Sequence, residues 1–549
     1  MANPKLLTES QENSKNLVVQ LLIKFSNWIK SAGLPTYLGA KVFDLIEQTD
    51  QPCTIAIAGR VKTGKSTFIN TLLDSDISPV GKNETTATVL YFRYGKPDYP
   101  EKPVRCHHRD GKVTYHSLNY LSHLQSNNDL ILTESESISY LEYALEIPFL
   151  KRIALVDTPG LGSAVSAHQQ RIARLVRLPG LNYENSSTEK NDIGEKTINI
   201  DGIIYLLEFA ALQDDEKFLR EFNDLMAGNV FASNVLGVVT MVDKLATRKI
   251  GDVNQKLNHL DSRIDRSLKL AHNLRGHLNT VVPTSAELER LVRFYSSPKN
   301  YSRLEKFVST IREINPEHLE LLLSRVETFK DSEIYNESFV KRNKVLIEEF
   351  QWGAFVSAAL VASKSKKSGK EVLSKLSEIS GFSELKNIIY KHFELRSQQI
   401  RLFRIIYDTR NLLNEIRDHY GKWLFAHHRL ELISGLFDID QELNRLYHHF
   451  LEDNIDFNFL QRLEANIDLF NEHDTQELRA LFGAYGLDFN SRLQNAASPD
   501  IQEHIVANQR IWMGKRWVSH PLKRALAERA VEIYGKLLDA TLHDNLPDD

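Results

Sequence analysis

Apolar residues are distributed along this chain in two regimes. Between residues 53 and 282 they gather in short runs: Cys53-Thr-Ile-Ala-Ile-Ala58, Val89-Leu-Tyr-Phe-Arg-Tyr94, Ile153-Ala-Leu-Val-Asp157, Ile203-Ile-Tyr-Leu-Leu207, Val235-Leu-Gly-Val-Val239 and Val281-Val282. Such runs, bounded by polar and turn residues, predict buried strands, and helical periodicity follows several of them. Strands alternating with helices predict a doubly wound, mainly parallel α/β sheet. One departure is a hairpin, Val104 to His108 and Lys112 to His116, turning at Asp110-Gly111. Asn182 to Asn199, rich in Ser, Glu and Lys, predicts a mobile surface loop.

From about residue 287 onward no run reads as a strand, and the chain becomes all α. Leu402, Ile405, Ile406, Leu412, Leu413 and Ile416 form one apolar helical stripe; Leu522, Ala525, Leu526, Ile533 and Leu537 form another. Ahead of the first strand, Leu17, Val18, Leu21, Leu22, Phe25, Trp28 and Ile29 recur at helical spacing, and a shorter pattern covers Val42 to Ile46. These leading helices need an apolar partner elsewhere in the chain.

The length, 549 residues with 42% hydrophobic, implies two or three domains with real cores. Lys+Arg 68 against Asp+Glu 72 leaves a net charge of −4, so no global basic signature points to nucleic acid, and none is expected as a partner. Only Cys53 and Cys106 are present, which argues against a disulfide framework and for a reducing compartment. The first residues are polar, and no apolar stretch approaches the roughly 20 residues that span a bilayer. The expectation is a cytoplasmic protein whose membrane contact, where it occurs, is peripheral and at the inner face.

Chemistry enters at Gly59-Arg-Val-Lys-Thr-Gly-Lys-Ser66, a full GxxxxGKS phosphate loop between a predicted strand and a predicted helix. Gly59 and Gly64 let the backbone curl so that the N–H groups of Lys62, Thr63, Gly64 and their neighbours point at phosphate oxygens. Lys65 is placed to reach the outer phosphates, Ser66 to hold Mg2+, and Thr67 to continue the helix start. Asp157-Thr-Pro-Gly160 ends its strand as a DxxG, with Asp157 reaching the metal through water and the Gly160 N–H sensing the terminal phosphate. Thr85-Thr86 precede the Val89 strand, and Thr86 is the favoured switch threonine, closing on Mg2+ beside Ser66 and Asp157. At Thr240-Met-Val-Asp243, Asp243 is placed to accept from the guanine N1–H and amine, a donor pair that adenine lacks; Lys244 follows it. Thr284-Ser285-Ala286 suits the segment that contacts the guanine oxygen. The ligands expected are GTP or GDP with Mg2+, and Lys62, Lys65, Ser66 and Thr86 are the candidate catalytic residues.

The order GRVKTGKST, ETTATV, DTPG, TMVD and TSA, with a hairpin between the second and third, resembles the dynamin superfamily of large GTPases. Bacterial dynamin-like proteins such as the LeoA type are the most similar group. Phe209-Ala-Ala-Leu-Gln-Asp-Asp-Glu-Lys-Phe-Leu219 and Ser380-Gly-Phe-Ser-Glu-Leu385 extend the resemblance to roughly residues 50 to 395. It implies an α/β P-loop GTPase head plus an elongated all-α helical neck and trunk. The boundaries expected are residues 1–48 for helices packing with the C-terminal ones, 49–395 for the GTPase domain with a helical insertion at about 287–379, and 396–549 for the neck and trunk. It also implies GTP hydrolysis, homodimers or higher oligomers through the heads, a partner dynamin-like protein, and membrane remodelling or vesicle-linked secretion. Two departures stand out. Dynamins commonly carry serine at the fourth loop position, where this chain has Lys62, whose ammonium could replace a bound monovalent cation. Met241 stands where the guanine motif usually has lysine.

Two segments invite a membrane reading. Trp352 and Phe355 lie in an apolar run followed by lysines, and Trp512-Met-Gly-Lys-Arg-Trp517 sets two indoles around two cations. Core packing explains both sets of letters and is the favoured account of each. The paired histidines His107-His108, His427-His428 and His448-His449 lack ligand spacing, so no metal beyond Mg2+ is assigned. An alternative to the GTPase reading is a nucleotide-gated scaffold or assembly protein with weak turnover, acting through protein partners rather than lipid.

Overall fold

The computed structural model describes residues 4–59, 63–75, 77, 88–120, 124, 137–158, 176–177, 198–208, 234–247, 252–274, 278, 280–331, 351–364, 368–394, 396–426, 429–464, 469–483, 489–493 and 501–543. The strands are β1 (Cys53–Gly59), β2 (Val89–Tyr94), β3 (Val104–His108), β4 (Val113–His116), β5 (Ile138–Leu145), β6 (Ile153–Asp157), β7 (Val176–Arg177), β8 (Ile198–Asn199), β9 (Gly202–Leu207), β10 (Val235–Val239) and β11 (Thr280–Pro283). The helices that organise the fold are α1 (Pro4–Ala32), α2 (Thr36–Gln48), α3 (Lys65–Leu73), α4 (Ala286–Ser296), α5 (Trp352–Lys364), α6 (Gly369–Ser380), α7 (Phe382–Ile389), α8 (Ser397–Ala426), α9 (Leu430–Glu464), α10 (Glu472–Leu481), α11 (Ile501–Lys515) and α12 (Pro521–His543). The chain divides into two compact units, residues 52–397 and the pair of segments 1–51 with 398–549.

In the first unit nine strands form one sheet in the order β11-β10-β9-β1-β6-β2-β5-β3-β4. β1 pairs in parallel with both β6 and β9, and β9, β10 and β11 continue in parallel. Every residue of β1, β6, β9 and β10 is buried, as a sheet covered on both faces requires. β2 runs antiparallel to β6 and parallel to β5, so the sheet is mixed at its far side. β5 is a strand that the apolar pattern did not disclose. Ser139 and Glu142 interrupt its run, and both are buried all the same. Glu142 tolerates this because His107 Nε2 and Arg93 Nε lie 2.8 and 2.5 Å from its carboxylate.

The helices after β11 pack into the same unit around α5, whose residues 353–362 are all buried. Such a helix, apolar on every side, belongs inside a core. In the second unit α1 lays its stripe of Val18, Leu21, Leu22, Phe25 and Ile29 inward, and the Trp28 indole donates to the Leu432 carbonyl of α9 at 2.8 Å. Gly435 leaves room for that indole, since a Cβ there would sit 3.0 Å from Trp28 Cδ1. α2 is tied to α8 by Lys41 to Glu415 at 3.0 Å and by Arg404 to Gln48 at 2.6 Å. A further cluster joins the C-terminal part of α9 with α10, α11 and α12. Within it Asp456 accepts from Arg492 and Arg529, each at 2.7 Å. Glu477 likewise accepts from the Trp512 indole at 2.8 Å and the Tyr534 hydroxyl at 2.5 Å. Among the described residues no helix is long and apolar enough to cross a membrane.

Candidate nucleotide site

The carboxyl ends of β1, β6, β10 and β11 converge, which is where open α/β sheets bind ligands. β1 ends at Gly59, and a Cβ there would lie 2.9 Å from Leu206 Cβ, so glycine is what allows the chain to leave the sheet this close to β9. Gly64 at φ 79° is the cap from which α3 starts, a left-handed conformation that glycine adopts freely. The first turn of α3 then carries Lys65 and Ser66, and its unpaired amides and positive end make an anion cradle. Phe68, one turn on, packs against Phe382 of α7 at 5.6 Å and anchors the helix from behind.

The Lys65 ammonium donates to the Thr158 carbonyl at 2.6 Å and lies 3.3 Å from Asp157 Oδ1. The cation is thus parked on the acid that ends β6. Thr158 is held in turn by its hydroxyl, which donates to the Ile57 carbonyl of β1 at 2.9 Å. Ser66 and Asp157 are hard oxygen donors of the kind Mg2+ takes, and with Lys65 they fit a metal-bound triphosphate.

On the base side, the Thr240 hydroxyl donates to the carbonyl of Thr63 at 2.8 Å and locks the end of β10 to the phosphate loop. Met241 takes φ 58°, unusual for a side chain with a Cβ, and its Cε lies where it would meet a Cβ on Gly64 at 3.0 Å. The residue standing in for lysine therefore packs on the phosphate loop. Asp243 is 2% exposed, and its Oδ1 accepts from the Ser285 hydroxyl at 2.6 Å. Burial pushes its carboxyl above the usual range, and the Ser285 hydrogen bond opposes that shift. The same hydroxyl accepts from the Leu288 amide at 3.1 Å, capping α4. Ser285, read from sequence as a contact to the base, thus also holds the base-reading carboxylate.

Three residues were not assigned to this site from sequence, although Ser380 and Gly381 lie in the segment Ser380 to Leu385 that carries part of the resemblance. Gly353, at the start of α5, faces Asp243 so closely that a Cβ would come within 2.3 Å of its Oδ2. Gly381, between α6 and α7 at φ 70°, sits against Pro283, where a Cβ would meet the carbonyl oxygen at 2.1 Å. The carbonyl of Ser380 accepts from the Ser285 amide at 2.9 Å. Only unusually small residues two or more helices away could have signalled these contacts.

Gly59, Thr63, Gly64, Lys65, Ser66, Thr67, Asp157, Thr240, Asp243 and Ser285 are brought to one end of the sheet; Lys244 is exposed in the same turn. Lys62, Thr86 and Gly160 lie outside the described residues, as do the predicted loop from 182 to 197 and the segment Phe209 to Leu219. The membrane candidates separate. Phe355 and Trp512 are each 0% exposed, enclosed by protein, and Trp352 stacks on Phe355 at 5.3 Å, so shallow insertion by these rings is corrected to core packing. Trp517, in the turn between α11 and α12, is 87% exposed.

The fold and site define a phosphate-loop GTPase domain. Residues 55–222 match the family model described as the Dynamin family. The chain is 26% identical over 520 residues to the isoniazid-induced protein IniC of Mycobacterium tuberculosis, covering 91% of this chain and 94% of that one. It is 23% identical over 411 residues to dynamin-like protein 2 of Campylobacter jejuni, covering 67% and 63%. The chain thus carries a segment that matches the Dynamin family and is similar to bacterial dynamin-like proteins. A solved oligomerised bacterial dynamin pair described as sensing and tethering membranes aligns at 14% identity and TM-score 0.30 over 95% of this chain and 90% of that one. The LeoA bacterial dynamin GTPase from ETEC aligns at 12% and TM-score 0.25, over 99% and 90%. Scores this low carry no weight for shape or assembly.

Proposed function

We propose that this chain binds GTP with Mg2+ and hydrolyses it to GDP and phosphate, the heads pairing to complete the reaction and the cycle driving membrane remodelling. The observation that carries this reading is the convergence of Lys65 on Asp157, Thr240 on Thr63 and Ser285 on Asp243 at one end of the parallel strands. Bound Mg2+ would neutralise charge on the phosphates. Ser66 and Asp157 would hold it, directly and through water. Lys65 would exchange its contacts with Asp157 and the Thr158 carbonyl for the outer phosphates, so nucleotide binding would release the end of β6. The amides at the start of α3 would stabilise charge developing on the phosphoryl oxygens. Asp243, fixed by Ser285, would read the guanine edge. Lys62 is proposed as the cation that offsets transition-state charge in cis, and Thr86 as the switch residue. Trp517 is proposed as the peripheral lipid contact.

A second reading, a nucleotide-gated scaffold with very weak turnover, draws support from the enclosure of Asp243 beneath Gly353, which leaves little of the carboxylate open to a base. Steady-state turnover of GTP and ATP across protein concentration separates the two. Rate per molecule rising with concentration, for GTP alone, is the expected result. Retained GTP binding with no turnover at any concentration would favour the scaffold, and equal use of ATP would remove Asp243 from its assigned role. Replacing Lys62 with Ser should lower turnover or introduce a potassium requirement; unchanged turnover with no new potassium dependence would dismiss its role in catalysis.

A further inference from the structure

The far end of the phosphate-loop helix is held by a residue that lies outside every nucleotide motif. α3 ends at Leu73, and Asp74 caps it in the left-handed region at φ 53°. The Asp74 and Ser75 amides both turn back to the Asn70 carbonyl. The Thr71 carbonyl, one of those that a helix end leaves over, is met from α4 instead. Arg293 donates to it through Nη2 at 2.8 Å and to Asp74 Oδ1 through Nη1 at 2.5 Å. A cation placed there also faces the negative end of the helix dipole.

The third arm of the same guanidinium points the other way. Arg293 Nε donates to Glu289 Oε1 at 3.1 Å, and the Ser380 hydroxyl lies 2.8 Å from Glu289 Oε2. That hydroxyl is also 2.8 Å from the Ser377 carbonyl, but it has one proton to give, and the carboxylate is the stronger acceptor. The Ser380 carbonyl takes the Ser285 amide at 2.9 Å, and the Ser285 hydroxyl donates to Asp243 at 2.6 Å. Hydrogen bonds therefore run without a break from the last turn of α3 to the carboxylate at the base side, through Arg293, Glu289, Ser380 and Ser285.

Glu289 and Arg293 stand four apart on α4, a spacing that adds little on an open helix surface. Here their side chains are only 14% and 26% exposed, and each also reaches another helix. The arm to Asp74, whose side chain is 75% exposed, is the weaker one. Lys386 of α7 is the other cation of the cluster, its ammonium pushed down by burial and by Arg293. A point charge does not replace a planar fork that reaches Thr71, Asp74 and Glu289 at once.

We infer that Arg293 is a positioning residue of the nucleotide site, coupling the phosphate-loop helix to the base-reading carboxylate, a role that rests on Asp243 reading guanine. Without the guanidinium, Glu289 loses its partner and Ser380 the fixed carboxylate that orients it. The Ser285 amide and hydroxyl then slacken, and Asp243 with them.

Displacement of fluorescent GDP from the full chain by GDP and by inosine diphosphate, in Mg2+ buffer, tests this. Inosine diphosphate keeps the diphosphate and the N1–H of GDP and lacks only the exocyclic amine. The ratio of the two affinities thus reports the grip of Asp243, and the loss common to both reports the α3 end. The native chain should favour GDP roughly tenfold. Arg293→Gln should weaken both ligands and shrink that ratio at least about threefold, with Arg293→Lys in between. An intact ratio, whether or not both ligands weaken, overturns the coupling and leaves Arg293 a structural residue. A native chain that does not prefer GDP removes the guanine reading and this role together, a failure seen before any substitution is made. Should Arg293→Gln fail to fold, as circular dichroism would reveal, Ser380→Ala, which deletes the hydroxyl and keeps the carbonyl, carries the same expectation for the ratio.

Discussion

At the scale of single residues, the site depends on side chains that are missing. Gly353 gives the clearest case, because a methyl group there would overlap the Asp243 carboxylate at 2.3 Å. Gly353→Ala should destabilise the GTPase unit by about 1–3 kcal/mol through overpacking, read as a lower midpoint in chemical denaturation. An unchanged midpoint would place α5 away from Asp243. Glu142 makes the opposite kind of statement. Burial alone would raise its pKa, but hydrogen bonds from His107 and Arg93 outweigh burial and hold it at about 2. A carboxyl depressed from 4.5 contributes stability that is present above that value and disappears as pH falls toward 2. The contribution is on the order of 3 kcal/mol as an upper limit. Comparing denaturation of the native chain and Glu142→Gln between pH 5 and pH 2 checks it: the difference should shrink steadily as the acid is added.

At the scale of elements, α6 and α7 brace the nucleotide site from outside. Their junction at Gly381 touches Pro283, the Ser380 carbonyl receives the Ser285 amide, and Phe382 backs Phe68 of α3. Gly381→Ala adds a clash at 2.1 Å and a left-handed strain of about 1 kcal/mol, so it should displace Ser285. The expected outcome is at least tenfold weaker binding of fluorescent GDP with the fold retained; equal binding would uncouple this junction from the base site. In the helical unit, Asp456→Ala leaves Arg492 and Arg529 without their shared acid and should cost about 3–5 kcal/mol. Thermal unfolding followed by circular dichroism would register it.

Legibility follows the same division. The phosphate loop, the strand ending at Asp157 and the strand ending before Asp243 could be read because each motif is local and its strand is a continuous apolar run. β5 escaped because its polar residue is paid for by partners on two other strands. Gly353 and Gly381 escaped because what they touch is far away in sequence. Phe355 and Trp512 were indistinguishable from Trp517 as letters, and only the packing around each ring separates core from surface.

At the scale of the whole molecule, residues 52–397 carry a complete sheet and their own core, whereas the helical unit is assembled from both termini. Residues 52–397 expressed alone should therefore remain soluble, while residues 1–397 should aggregate more readily, since α1 and α2 would lack α8 and α9. Equal solubility in sedimentation assays would mean that the leading helices have found cover elsewhere.

That assembly also imposes an order on biosynthesis. α1 and α2 emerge from the ribosome before α8 and α9, which follow only after the entire GTPase unit, a delay on the order of tens of seconds at ordinary elongation rates. Throughout that interval the stripe from Val18 to Ile29 is without the surface that covers it in the finished protein. Until α8 and α9 arrive, that stripe is an uncovered apolar surface of the kind that aggregates or is bound by chaperones.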